Sequence, residues 1–390
     1  MKKNIALIGG GPAGLMAAEV LSNNLNVRID FYEKRSAVGR KILIAGSSGL
    51  NISNSDPIDS FIEKITPVHF QEFFRKHFQE FFTSNLLDFI HQELQLETFL
   101  GTSKRYFLKE KNAATFLRTW INRLKSKGVN FYLDHQLQDF NFSQMEIYNK
   151  RYDKIGLFLG GGSWEDSEVM WPQIFKDNNI NCIEFQSSNA GFQIDWPEGF
   201  LKENLNKPLK NILFTSSLGS MKGDLMITSY GIEGTPVYRY GLVGEVFLDL
   251  LPQYSESQIL EKMNVKLKEN YAPLRLLKKV FSGLGEVHHS LLYYYFGMNK
   301  NMSTSDQVKK IKFFPLHLIA QRPLAEAISS RGGIDLNEVS VNLSLKKFPH
   351  IFVGGEMLNW DAPTGGYLFQ TCMTQGYVAG HSVLANVNEY

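Results

Sequence analysis

Four residues near the start of the chain carry the clearest chemical signal: Gly9, Gly11 and Gly14, spaced as G-x-G-x-x-G, and Glu33. Each position answers a need of a bound dinucleotide. Gly9 permits a tight turn, Gly11 lacks a Cβ so that backbone can approach a pyrophosphate, and Gly14 lets a helix pack close to a strand. Pro12 and Ala13 open that helix, and its first N–H groups and positive dipole end are offered to phosphates. Glu33, followed by Lys34, stands where an acid accepts hydrogen bonds from the adenosine ribose hydroxyls, which disfavours a 2′-phosphate and so NADP. Taken alone, this motif does not separate FAD from NAD.

The elements around the motif agree with it. Asn4 to Ile8 is a short apolar run that stops at glycines, as a buried parallel strand does. Pro12 to Ser22 has helical spacing, and Val27 to Tyr32 is a β-branched and aromatic strand ending at Glu33. Residues 40–56, rich in Gly, Ser and Asn, read as a loop; 57–98 carry Phe and Leu at helical spacing, a core stripe. Lys111 to Lys127 is expected to be helical, Val129–Leu133 a strand, and Ile155 to Leu159 an apolar run leading into Gly160-Gly161-Gly162-Ser163. From about 190 the pattern changes. Short strands are expected at Ile212–Ser216 and Leu225–Thr228, then helices over 243–298, with Ser255 and Gln258 as a capping box. After about 325 the α/β character returns, with Ile351-Phe352-Val353 and a last helix through Leu384.

Composition excludes several classes. The 390 residues are 43% hydrophobic and 21% charged, which is globular rather than disordered. Lys+Arg 41 against Asp+Glu 39 leaves a formal charge of +2, so no global field favours nucleic acid or anionic lipid. Cys182 and Cys372 lie far apart without a C-x-x-C, which excludes a disulfide framework and points to a cytoplasmic chain with reduced thiols. The nine histidines show no metal-ligand spacing, so no metal is expected. Lys2-Lys3 could open a secretory signal, but Gly9-Gly10-Gly11-Pro12 interrupts the apolar stretch. No run of about 18 apolar residues occurs, so no membrane span is expected.

Two further segments separate the cofactors. Gly39-Arg40-Lys41 leads into Ile42–Asn54, and Gly355-Glu356-Met357-Leu358-Asn359-Trp360-Asp361-Ala362-Pro363-Thr364-Gly365-Gly366-Tyr367 opens the last helix. With the glycine motif, Gly160–Ser163, Thr228–Gly234 and Ser330–Ile334, the chain resembles the BaiN/RdsA family of FAD-dependent oxidoreductases, some of whose members are labelled aminoacetone-oxidase-like. The resemblance covers nearly the whole chain. It implies an α/β architecture with a glutathione-reductase-type, Rossmann-like FAD-binding fold. The FAD domain would be 1–190 with 325–390, and 191–324 an inserted substrate or cap domain, β-barrel-like, with a helical part at about 243–300. The substrate would meet the flavin where the insertion covers the FAD domain.

The resemblance also implies a site. Arg40 and Lys41 supply cations near the pyrophosphate or flavin. Gly46, Gly49 and Asn51 bring backbone to the isoalloxazine ring, Glu356 matches the acidic position that holds the ribityl or pyrophosphate region, and Gly161 and Gly355 are further cofactor-binding positions. Gly365, Gly366 and Tyr367 place a helix N-terminus at the flavin N1/C2=O edge. Many relatives carry Gly-Gly-Gly-Arg-Cys-Asn after Gly-Arg-Lys; Ser47-Ser48-Gly49-Leu50-Asn51 stands here instead, so any role of that Arg and Cys is not carried over. Tyr230, Trp360 and Tyr367 are the candidates to line the flavin, and His288-His289 is read as packing. The expected function is transfer of a hydride between a small organic substrate or NAD(P)H and FAD. Three alternatives stay open: an FAD-binding redox sensor or interaction protein, an RNA-acting flavoenzyme, and an NAD-dependent dehydrogenase.

Overall fold

The computed structural model describes residues 2–47, 49–109, 112–138, 140–164, 169–267, 273–297 and 302–385. Ser48 and Lys111 therefore lie outside the described residues. The chain divides into two compact units, Met1–Gln186 with Ile328–Tyr390, and Ser187–Ala327.

The first unit is built on a five-stranded parallel sheet. Its order is Ile351–Val353, Lys154–Leu157, β1 (Lys3–Ile8), β2 (Val27–Tyr32) and Asn130–Tyr132. The register sets Lys3 against Val27, Ile5 against Lys154 and Ile155 against Ile351. Ile5, Ala6, Leu7, Phe31, Ile155, Leu157, Ile351, Phe352 and Val353 are all buried, which is why these strands read as continuous apolar runs rather than alternating ones. Helix α1 (Pro12–Leu21) follows β1 and is buried along nearly its whole length. It lies against the last helix, Tyr367–Ala385. That approach depends on Gly376, where an added Cβ would stand 2.2 Å from Ala13 O.

Residues 40–56 are not the loop expected from their composition. They hold α2 (Arg40–Ala45) and β3 (Asn51–Asn54). Gly39, at φ 78°, turns the chain into α2, which buries only Ile42. β3 is polar in sequence because its stability comes from pairing with Arg105–Leu108 and from the Ser53 Oγ to Thr83 Oγ1 hydrogen bond of 2.8 Å, not from apolar alternation. The next expected helix is Ala113–Ser126, capped by Asn112 Oδ1 accepting from Thr115 N at 3.0 Å.

The second unit is a six-stranded antiparallel sheet in the order Phe192–Gln193, Gly231–Glu233, Gly219–Ile227, Pro208–Ser216, Gly244–Asp249, Phe314–Leu318. Its edges meet: Gln193 N donates to Ala320 O at 2.8 Å, and Ile319 N donates to Gln193 O at 2.9 Å. The result is a small barrel filled by Ile212, Phe214, Ile232, Val246, Leu248 and Phe314. The stretch expected to be helical from 243 opens instead with the barrel strand Gly244–Asp249. Its buried Val246 and Leu248 alternate with exposed Glu245 and Phe247, a period of two that the helical reading overlooked. Helices Glu256–Leu267, Pro273–Val280 and Glu286–Phe296 follow, then Thr304–Lys312. The capping box is present: Gln258 N donates to Ser255 Oγ at 3.2 Å and Ser255 N to Gln258 Oε1 at 2.9 Å.

Candidate dinucleotide site

The three parallel strands β1, Lys154–Leu157 and Ile351–Val353 end in glycine-rich turns on one edge of the sheet. Gly9 has φ 108°, and a Cβ there would lie 2.1 Å from Phe158 O. A Cβ on Gly14 would lie 2.1 Å from Gly9 O. Both glycines are thus demanded by the protein's own packing. Gly11 differs: a Cβ there would meet nothing within 4 Å. Among the described residues, the amides of Gly11, Ala13 and Gly14 have no hydrogen-bond partner, and Pro12 occupies the first helical position. Open space faced by free amides at the positive end of a helix is what a pyrophosphate requires.

Glu33 is 9% exposed and does more than expected. Its Oε2 accepts from Gly10 N at 2.7 Å and its Oε1 from Arg35 N at 3.0 Å. Burial raises its carboxyl pKa, opposed by those two backbone hydrogen bonds and by the charges of Lys34 and Arg35. Glu33 therefore shapes the glycine turn, and ribose hydroxyls would share its remaining lone pairs. Lys34 is exposed.

Lys41, Gly161 and Glu356 come together from three distant segments. Lys41 Nζ donates to Gly161 O at 3.2 Å and to Ser163 Oγ at 3.5 Å, and stands 3.8 Å from Glu356 Oε2. Its side chain is 22% exposed, so it is not a solvated surface cation. Arg40 donates to Trp164 O. Ser330 Oγ accepts from Gly162 N at 2.8 Å. Gly355, at φ 79°, would bring a Cβ to 3.2 Å from Ala13 Cβ, so its loop rests on the first turn of α1. Gln375 in the last helix grips this loop, its Oε1 accepting from Gly355 N at 2.7 Å.

The other expected residues divide. Gly46 N donates to Ile42 O and Gly49 N to Gly46 O, so those two amides are closed within the turn rather than turned to a ring. Gly46 is needed because a Cβ would lie 2.4 Å from Ala113 Cβ. Asn51 Oδ1 is shielded from solvent with no partner among the described residues. Gly365 and Gly366 have φ 110° and 95° and sit against Arg105 and the Ser53 backbone. Tyr367 is buried, its hydroxyl bonded to Asp56 and to Lys64 Nζ and its ring 4.6 Å from Phe61. Trp360 is buried and donates to Gly355 O at 2.8 Å. Those two polar groups serve the scaffold. Tyr230 lies in the barrel unit, its hydroxyl on Glu233 and its ring 4.4 Å below the Arg322 guanidinium; burial, then Glu233, raises its phenol pKa. His288 is a buried cap, accepting from Gly285 N at 3.2 Å.

Arg105 and Gln375 were not singled out from sequence, and Ser330 was named only as the first residue of the Ser330–Ile334 motif. A single Arg in a short strand gives no signal. Gln375 had a signal in sequence, since Gln370, Thr371, Thr374 and Gln375 interrupt the apolar first half of the last helix at i,i+4 spacing; the structure buries all four. Among the described residues no cluster of His, Cys, Asp or Glu could hold a metal, and no helix is long and apolar enough to cross a membrane.

Open amides at Gly11 to Gly14, cations at Lys41 and Arg40, and the unpartnered Asn51 acceptor fit a dinucleotide carrying a polar ring. The fold and this site define a Rossmann-type protein with an open dinucleotide site. The model for the HI0933-like protein Rossmann domain matches residues 3–382, so the chain belongs to that family, the one reached by the BaiN/RdsA resemblance. The chain is 22% identical over 409 residues to the 3-dehydro-bile acid delta(4,6)-reductase of Clostridium scindens (strain ATCC 35704 / DSM 5676 / VPI 13733 / 19), covering 97% of this chain and 98% of that protein. Similar solved structures include an open-form flavocytochrome c3 fumarate reductase (TM-score 0.46, 10% identity, 100% of this chain and 79% of that one). Another is the 3-ketosteroid delta1-dehydrogenase of Sterolibacterium denitrificans (TM-score 0.44, 10% identity, 99% of this chain and 100% of that one).

Proposed function

We propose that the chain is an FAD-dependent reductase that takes electrons from NAD(P)H and reduces a carbon–carbon double bond conjugated to a carbonyl in a small organic substrate. The open amide face at Gly11 carries the cofactor half of this reading. The reductase direction and substrate class draw support from the activity named for the Clostridium scindens relative, which aligns end to end. When bound, FAD supplies two-electron chemistry, accepting an electron pair from one partner and passing it to another.

The residues of the chain bind and orient. The free amides of Gly11, Ala13 and Gly14 and the positive end of α1 hold the pyrophosphate. Lys41, positioned by Gly161 O and Glu356, adds charge on the same edge. Glu33 holds both the turn and the adenosine ribose. The isoalloxazine ring would lie along β3 toward Gly365 and Gly366, with its pyrimidine edge at the start of the last helix.

The absorption spectrum of the purified protein tests this. Flavin bands near ~450 nm should bleach under anaerobic NADH or NADPH and return on adding a conjugated enone. No flavin bands, even with FAD added, would overturn the cofactor assignment. Bands untouched by either nicotinamide would favour the second reading, an FAD-binding sensor. The observation behind that second reading is the closure of the Gly46 and Gly49 amides within the divergent 46–51 segment.

A further inference from the structure

Pairing of β3 with Arg105–Leu108 sets Asn54 opposite Arg105, and the Asn54 amide donates to Gly365 O at 3.3 Å. At Gly365 a Cβ would stand 2.9 Å from Arg105 Nε and 3.3 Å from its guanidinium carbon. The guanidinium therefore occupies the space that any side chain at 365 would take. At Gly366 a Cβ would lie 2.4 Å from the Ser53 carbonyl, so the helix start, β3 and the Arg105 strand form one close-packed corner. Two positive sources coincide there, a fixed cation and the N-terminus of a 19-residue helix. The same β3 carries the unpartnered, shielded Asn51 Oδ1, an acceptor without a donor.

We propose that Arg105 is the residue that stabilises negative charge on the pyrimidine edge of bound FAD, with Asn51 accepting from the ring N–H. The inference rests on the ring placement proposed above. Uptake of two electrons and one proton leaves the cofactor with one added negative charge, shared by N1 and the C2 carbonyl. A guanidinium held in a half-buried corner favours that form far more than the oxidised form, which is neutral at this edge. Arg suits the place because its planar fork can bridge two adjacent acceptors.

The test is the midpoint potential of FAD-loaded Arg105→Gln, equilibrated anaerobically with a reference dye, beside the Kd for oxidised FAD. Binding of the reduced cofactor should weaken about tenfold more than that of the oxidised cofactor, which lowers the two-electron potential by about 30 mV. The Kd for oxidised FAD should stay within about threefold of the parent. Arg105→Lys should recover part of the loss. Gly365→Ala, which displaces the guanidinium, should lower the potential too, and the double variant should add little to either single change. A parent-like potential in Arg105→Gln overturns the proposal. If Gly365→Ala still shifts the potential, only the role of Arg105 has failed; if neither variant shifts it, the ring placement has failed as well. Should Arg105→Gln not fold, Arg105→Met, which keeps the packed stem without the charge, is read the same way.

Discussion

Residues of one type do different work at this site, and the difference is measurable. Gly9 and Gly14 leave no room for a Cβ because protein backbone fills the place; Gly11 leaves room that protein does not fill. Gly11→Val should therefore fold like the parent and fail to hold FAD, with affinity reduced at least about 100-fold through the blocked pyrophosphate. Gly9→Ala should lose stability instead, since φ 108° and a 2.1 Å contact forbid a side chain. Equilibrium dialysis and thermal melting separate the two. Flavin retained by Gly11→Val would refute the placement of the pyrophosphate. Much of this was legible in the sequence, because the G-x-G-x-x-G spacing encodes backbone geometry directly. The second task of Glu33, holding Gly10 and Arg35, was not, because a side chain that accepts from its own turn looks in sequence like one waiting for a ribose. Lys41 and Glu356 were each expected at the cofactor, but nothing along the chain announces that they stand 3.8 Å apart.

At the scale of elements, apolar runs found the parallel sheet and failed where stability has another source. β3 is held by strand pairing and a hydroxyl pair, so its residues look like loop. The barrel strand Gly244–Asp249 was absorbed into the helices after it because six alternating residues are a weak signal beside three helical periods. The last helix shows how an element reaches the site. Gly376 lets it press on α1 at Ala13, and Gln375, one residue earlier, holds Gly355. Gly376→Ala would place a methyl 2.2 Å from Ala13 O and force the helices apart. We expect a stability loss of about 1–3 kcal/mol, as for other overpacked contacts. FAD affinity should fall with it, because the first turn of α1 moves. A variant destabilised by that amount yet unchanged in FAD affinity would show that the helix contact and the phosphate turn are independent.

Across the whole molecule, acid should act on both units through buried histidines. His77, in the first unit, is fully buried, with Nε2 2.7 Å from Val341 O and no partner for Nδ1 among the described residues. Burial pushes its imidazole down to about 4, against the carbonyl contact that raises it. In the barrel unit, burial likewise pushes His288 down to about 4, with Lys210 O opposing. Both folded pKa values lie below the unfolded value of about 6.5, so the unfolded chain binds more protons between those limits and stability rises with pH there. The stabilisation is complete above about 6.5 and is lost as pH falls toward 4, at up to about 3 kcal/mol for each histidine. Because two-state unfolding is not assured for a chain of two compact units, the transitions should be followed by a probe in each. His77→Gln keeps a donor for Val341 O and cannot titrate. It should flatten the decline between pH 6.5 and 4.5 in the first unit and leave the decline in the barrel unit as it was. Urea midpoints at pH 7, 6, 5 and 4.5 decide this, and an equally steep acid decline in the first unit of His77→Gln would assign the sensitivity to other groups.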